Sequence, residues 1–263
     1  MEIPIEFTNQ FTQFLLVFAR VTGILTSAPV FGSKSIPVYA RVSLAILLAL
    51  FMLPMSILAM NRQPSSLLVL AWWLIIELIY GLAAGFVAAL FLQSVQMAGQ
   101  LIDTQIGFGM VNVFDPQFGQ QAPLVGNFKF LIALSVFLAL QGHHMLIMAM
   151  ADNFRAVPLG VQVQLGNATK FMVDAVADMF VMAVKISLPV MGTILMTDVA
   201  LGILARMMPQ MNVFVVGITG KLVVGLFMLF MILPFYVSFL EVGFEGIYRD
   251  FTRILEILGT QIQ

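Results

Sequence analysis

Five charged side chains, Arg20, Glu77, Asp178, Lys185 and Lys221, stand inside long apolar runs of a 263-residue chain. A lone charge facing lipid costs about 2.5 kcal/mol or more at mid-membrane, so each needs a partner or a wet surface. Two kinds of chemistry use such groups: ion relays in transporters and proton-coupled channels, and paired charges that hold helices together. At about 100° per residue, Asp174, Asp178, Lys185 and Gly192 share one narrow helical face, as do Gly217, Lys221 and Gly225. Small residues permit close helix approach, so both faces are expected to pack against protein. Asp198 and Lys221 are expected to meet across a helical hairpin turning near Pro209, with Arg206 in the same stretch.

A second polar pattern follows the third apolar run. Gln93, Gln96, Gln100 and Asp103 fall within about 80° of one another on a helix, a stripe facing something wet or a solvated helix end. It leads into AGQLIDTQIGFGMVNVFDPQFGQQAP, Ala98 to Pro123, a glycine-punctuated stretch between strongly apolar runs. Its backbone cannot face lipid, because unpaired N–H and C=O groups in hydrocarbon are costly, so it is expected to line or block a cavity. His143 and His144 are the only histidines. Adjacent helical residues point about 100° apart, which makes them a poor metal pair and marks instead a polar interruption after Gly142. HExxH, GxSxG and P-loop patterns do not occur, so neither an enzyme nor a cofactor is expected.

The elements that must position these residues are helices. Hydrophobic residues make up 61% of the chain and charged ones 10%, and mean hydropathy is +1.03. The windows Phe7–Ala28, Val42–Met60, Leu67–Leu92, Phe130–Met150, Ala175–Met196 and Val213–Leu240 each approach the roughly 20 residues that cross a hydrocarbon core, giving an all-α membrane protein of about six long apolar helices. Pro29, Pro37, Pro54, Pro64, Pro158 and Pro209 are expected mostly between the helices, as stops, whereas Pro189 and Pro234 predict kinks. Gly81 and Gly85 offer a small-xxx-small contact surface.

From Glu241 onward, Phe244, Ile247, Tyr248, Phe251, Ile254, Leu255 and Leu258 recur at helical spacing opposite charged residues, predicting an amphipathic helix on a membrane surface or a partner. Lys and Arg do not segregate between loops, and the acidic N-terminus against Lys34 and Arg41 favours an extracytoplasmic start. No basic n-region precedes Arg20, so a cleavable signal peptide is not expected. A net charge of −1 argues against nucleic acid as a partner. Zero cysteines exclude disulfides and thiolate chemistry, and the 19 methionines offer a pliable apolar surface.

The order of FARVTGILTSAPVFGSKSIPVYARVSLAILLAL (Phe18 to Leu50), ELIYGLAAGF (Glu77 to Phe86), AGQLIDTQIGFGMVNVFDP (Ala98 to Pro116), DNFRAVPLG (Asp152 to Gly160) and LGILARMMPQMNVFVVG (Leu201 to Gly217) resembles the FliR family of flagellar type III export-gate subunits, whose injectisome counterpart is SctT or SpaR. The resemblance implies a single integral membrane domain over 1–263. It would comprise a FliP-like part (about 1–197), a FliQ-like hairpin (about 198–240) and an amphipathic end (241–263). It further implies a non-enzymatic channel subunit in the bacterial inner membrane, present in single copy with several copies of FliP and FliQ. FlhB would wrap the base, part of the chain would stand above the membrane plane within the assembly, and unfolded flagellar proteins would be the cargo. The family's channel plug maps onto Gly107, Phe108, Gly109, Met110, Val111, Asn112, Val113, Phe114, Asp115 and Pro116. Arg206, Pro209, Gln210 and Asn212 fall in the family's hairpin turn. A reading of a different class, a secondary transporter or proton-coupled channel using the buried charges, predicts that the isolated chain binds a small solute.

Overall fold

The computed structural model describes residues 5–33, 36–57, 64–108, 123–156, 158–160, 165–208, 210 and 212–259. Within them the chain is helical and without strands: α1 (Ile5–Ser27), α2 (Val38–Ile57), α3 (Leu67–Ile106), α4 (Leu124–Ala139), α5 (Gly142–Ala156), α6 (Leu165–Met207) and α7 (Val213–Gly259). Among the described residues, α2, α3, α6 and α7 are long and apolar enough to cross a membrane, and α4 with α5 makes a fifth candidate if the bent pair is one span. This is an all-α membrane protein.

Several expectations about individual elements change. The window Phe130–Met150 is not one helix, because the chain bends by 63° between α4 and α5. Gln141 takes a left-handed φ of 56°, which an L-residue adopts only where the helix has stopped, and Gly142 opens the next helix. The first window falls outside the candidate spans, since Asn9, Gln10, Thr12, Gln13 and Arg20 dilute its apolar character. Pro54 is not a stop between helices but lies inside α2, where its missing N–H leaves the Leu50 carbonyl, four residues upstream, without its helical donor. Pro189 and Pro234 are likewise helix-internal.

The chain divides into two compact units. The first comprises Met1–Phe91, Gln141–Val176 and Phe244–Gln263. Leu16, Val17, Val21 and Ile24 of α1, Ala45 and Ala49 of α2, Met150 and Phe154 of α5, and Phe251 and Ile254 of α7 are buried within it. α1 and α3 meet backbone to backbone at Gly23 and Gly81: a Cβ on Gly23 would lie 2.5 Å from the Leu78 carbonyl oxygen, and one on Gly81 2.9 Å from the Ile24 nitrogen. Ser27 Oγ lies 3.0 Å from both the Leu82 carbonyl oxygen across the crossing and the Gly23 carbonyl oxygen of its own helix, between which its one proton is shared. The end of α7 is not a separate surface helix. It continues α7 and buries Phe244, Phe251 and Ile254 in its own chain, with Phe91 edge-on to Phe244 at 5.1 Å.

The second unit comprises Leu92–Leu140 and Ala177–Gly243. Ile102 and Ile106 of α3, Val125 of α4, and Val190 and Ile194 of α6 form its buried cluster, with Phe108, Leu222, Met228 and Leu229 packed against it. Gly225 accommodates this cluster, since a Cβ there would lie 2.6 Å from Ile106 Cδ1. Beside that core, Leu226, Phe227, Phe230, Met231 and Phe235 of α7 are exposed, an apolar face that water would penalise.

Candidate functional site

Arg20 and Glu77 form the most deeply buried charge pair among the described residues, 1% and 2% exposed. The crossing of α1 on α3 at Gly23 and Gly81 brings them side by side. Arg20 Nε donates to Glu77 Oε2 at 2.6 Å and Nη2 to Oε1 at 3.1 Å. The guanidinium carbon lies 4.4 Å from the Tyr80 ring centroid and 4.9 Å from that of Phe154, so aromatic faces replace part of the lost hydration.

The same two side chains also bind backbone. Arg20 Nη2 donates to the Pro158 carbonyl at 3.3 Å, and the Gly160 N–H donates to Glu77 Oε1 at 2.9 Å. Gly160 has a φ of +73°, and its Cα sits under Trp73, where a Cβ would meet the indole at 3.1 Å. A donor and an acceptor from two helices thus seat the turn between α5 and α6. Both groups thus bridge to this turn as well as to each other, which is the arrangement of a strut.

The base of the stretch between α3 and α4 is a second polar site. The N-cap of α4 is Pro123, which provides no side-chain hydrogen bond. Buried Asp103, on α3, takes over that function: Oδ1 accepts from the Val125 N–H at 3.0 Å and Oδ2 from the Gly126 N–H at 3.1 Å. Of the expected wet stripe, Gln93 and Gln100 are exposed and Gln96 is half-buried, whereas Asp103 turns into the protein. Gly107 leaves α3 with a φ of +101°, and Phe108 packs on the Ile102–Ile106 cluster. Gly109, Met110, Val111, Asn112, Val113, Phe114, Asp115 and Pro116 lie outside the described residues.

The other charges singled out from the apolar runs divide into two groups. Lys221 Nζ pairs with Asp198 Oδ1 between α7 and α6, both partly exposed rather than buried, at 26% and 37%. Asp178, Lys185 and Arg206 are exposed and form no ion pair among the described residues, and nothing lies within 4 Å of a Cβ built on Gly192. The face Asp174–Gly192 is therefore not covered by the described residues of its own chain. Asn212 Oδ1 caps α7 by accepting from the Val215 N–H at 3.4 Å, and Gln210 is exposed. His143 and His144 contact one another at 3.3 Å, and no metal-binding group of acids, histidines or cysteines occurs among the described residues.

Sequence reasoning missed Lys129. It is 3% exposed within α4, with its ammonium 4.5 Å from the centroid of Tyr236, whose hydroxyl donates to the Lys129 carbonyl at 2.9 Å. The signal was present, since a lysine in an apolar helix needs a partner as much as Arg20 does. The seats provided by Tyr80, Phe154 and the Pro158–Gly160 turn carried no comparable signal.

Residues 11–247 match the family model described as bacterial export proteins, family 1. Over 225 residues the chain is 34% identical to the flagellar biosynthetic protein FliR of Bacillus subtilis (strain 168), covering 83% of this chain and 85% of that protein. It is 29% identical to the FliR of Pectobacterium carotovorum subsp. carotovorum over 255 residues, 97% of each chain. The FliR of Escherichia coli (strain K12) is 28% identical over 239 residues, 91% of each.

Proposed function

The chain belongs to the bacterial export proteins of family 1, and from that premise we propose that it is a structural channel subunit of the flagellar type III protein export gate. The observation that carries this reading is near end-to-end similarity to proteins named for flagellar biosynthesis. In this role the chain sits in the bacterial inner membrane as one copy among several copies of FliP and FliQ, with FlhB at the base. It conducts unfolded flagellar proteins and performs no catalysis. The segment Gly107–Pro116 closes the channel: glycines at 107 and 109 let it bend, Met110, Val111 and Phe114 supply an apolar stopper, and Phe108 anchors the segment on the Ile102–Ile106 cluster.

Two structural features support a partner-dependent subunit over a solute transporter. The deepest ion pair, Arg20–Glu77, is engaged in seating a turn. The charges Asp178 and Lys185 are exposed within the apolar candidate span of α6, where a neighbouring subunit would cover them.

Co-purification tests the reading. Tagged chain extracted in mild detergent with co-expressed FliP and FliQ is expected to give one large complex holding a single copy by native mass measurement. A stable particle of this chain alone that binds a small solute would sink the proposal. The plug has its own test: deleting Gly107 to Gln117 is expected to raise ion leakage in cells that still assemble the gate, and unchanged conductance would remove the loop from closure.

A further inference from the structure

We propose that Asp103 is the positioning residue of the loop between α3 and α4, a carboxylate clasp that fastens the loop's returning leg to its departing leg. The inference rests on the reading that this loop closes the channel. The first-turn N–H groups of a helix have no intrahelical acceptor, and the ordinary solution is an Asp, Ser, Thr or Asn at the N-cap. Here the N-cap is Pro123, which supplies none. Both acceptors come instead from one carboxylate, 22 residues before Val125 and 23 before Gly126. A local cap would satisfy α4 wherever that helix stood. A cap delivered from α3 satisfies it only while the two legs are together.

The backbones are shaped for that contact. A Cβ on Gly99 would lie 2.6 Å from the Gly126 nitrogen, and one on Gly126 3.2 Å from the Gln96 carbonyl oxygen, so glycines at both positions let α3 and α4 touch. The negative carboxylate lies against the positive end of α4, and its bonds are charge-assisted. Ile102, Ile106 and Val125 cover the junction with apolar side chains, which favours keeping these bonds closed to water. The loop therefore leaves through Gly107 and returns through Pro123 beside a fixed, dry fastening point.

Four gates purified with their partner subunits test the clasp: wild type, Asp103→Ala, Asp103→Ala with Pro123→Ser, and the loop deletion. Hydrogen exchange at the Val125 and Gly126 amides is expected to accelerate by about tenfold or more in Asp103→Ala, since an unpaired first-turn amide opens locally. Unchanged exchange would overturn the clasp. In the double variant the serine supplies a local cap and exchange slows again, yet the assembled gate is expected to leak ions as the single variant does. A double variant as tight as wild type would reduce Asp103 to a helix cap and overturn the proposal. The loop deletion separates the two ideas. If it leaks while Asp103→Ala stays tight, the closure reading stands and the clasp fails. If the deletion stays tight, the closure reading itself has failed.

Discussion

Glu77 accepts from Arg20 and from the Gly160 amide, so removing its charge strands a buried guanidinium and loosens a turn together. Leaving one member of a buried pair unneutralised typically costs 3–5 kcal/mol, roughly what Glu77→Gln is expected to remove, read as the thermal midpoint of the purified complex. Exchanging the residues, Arg20→Glu with Glu77→Arg, restores opposite charges but turns a carboxylate toward the Pro158 carbonyl and a guanidinium toward the Gly160 N–H. That swap is expected to recover little, and full recovery would show that seating the turn contributes nothing. The need for partners at Arg20 and Glu77 was legible because charges in apolar runs are conspicuous. Asp103 was misread because helical geometry gives the direction of a side chain and not what stands opposite it. Val125 and Gly126 lie beyond an intervening loop, and only the fold brings their amides to Asp103.

At the scale of elements, glycine separates helix contacts that are made within the chain from those left open. Gly81 presses on α1, and Gly81→Ala is expected to push the two helices apart, destabilising by several kcal/mol as overpacking against backbone does. Gly192 and Gly202 of α6 face open space. Alanine there is expected to be neutral or to favour the isolated helix by up to about 1 kcal/mol. Parallel thermal melts of the variants check the contrast, and equal effects at Gly81 and Gly202 would contradict it. Helix existence and extent were readable from hydropathy. The break at Leu140–Gln141 was only half readable, since QGHH announced a polar interruption but not a bend of 63°. The burial of Phe244 and Phe251 in their own chain was unreadable, because an amphipathic stripe looks the same whether protein, membrane or partner covers it.

For the whole molecule, hydropathy cannot distinguish a helix face that meets lipid from one that meets protein, because the two environments are about equally apolar. That is why the two compact units, each assembled from separate stretches of chain, were not visible in the sequence. The exposed charges of α6 offer a way to find the protein-facing side. With no native cysteine, a single Asp178→Cys or Lys185→Cys provides a unique thiol. Each is expected to react with a water-soluble maleimide in the chain purified alone in detergent, and to be shielded in the gate complex. Equal reactivity in both would mean that no subunit covers this face.

The seat of Gly160 under Trp73 has an optical consequence. The chain contains only two tryptophans, adjacent at Trp72 and Trp73 near the start of α3, the first exposed and the second half-buried over the turn. Its tryptophan emission, excited selectively over that of its four tyrosines, therefore originates at one end of one helix. The emission of Trp73, with Trp72→Phe as background, gives the chain a built-in gauge of whether that turn is docked, readable without any attached dye.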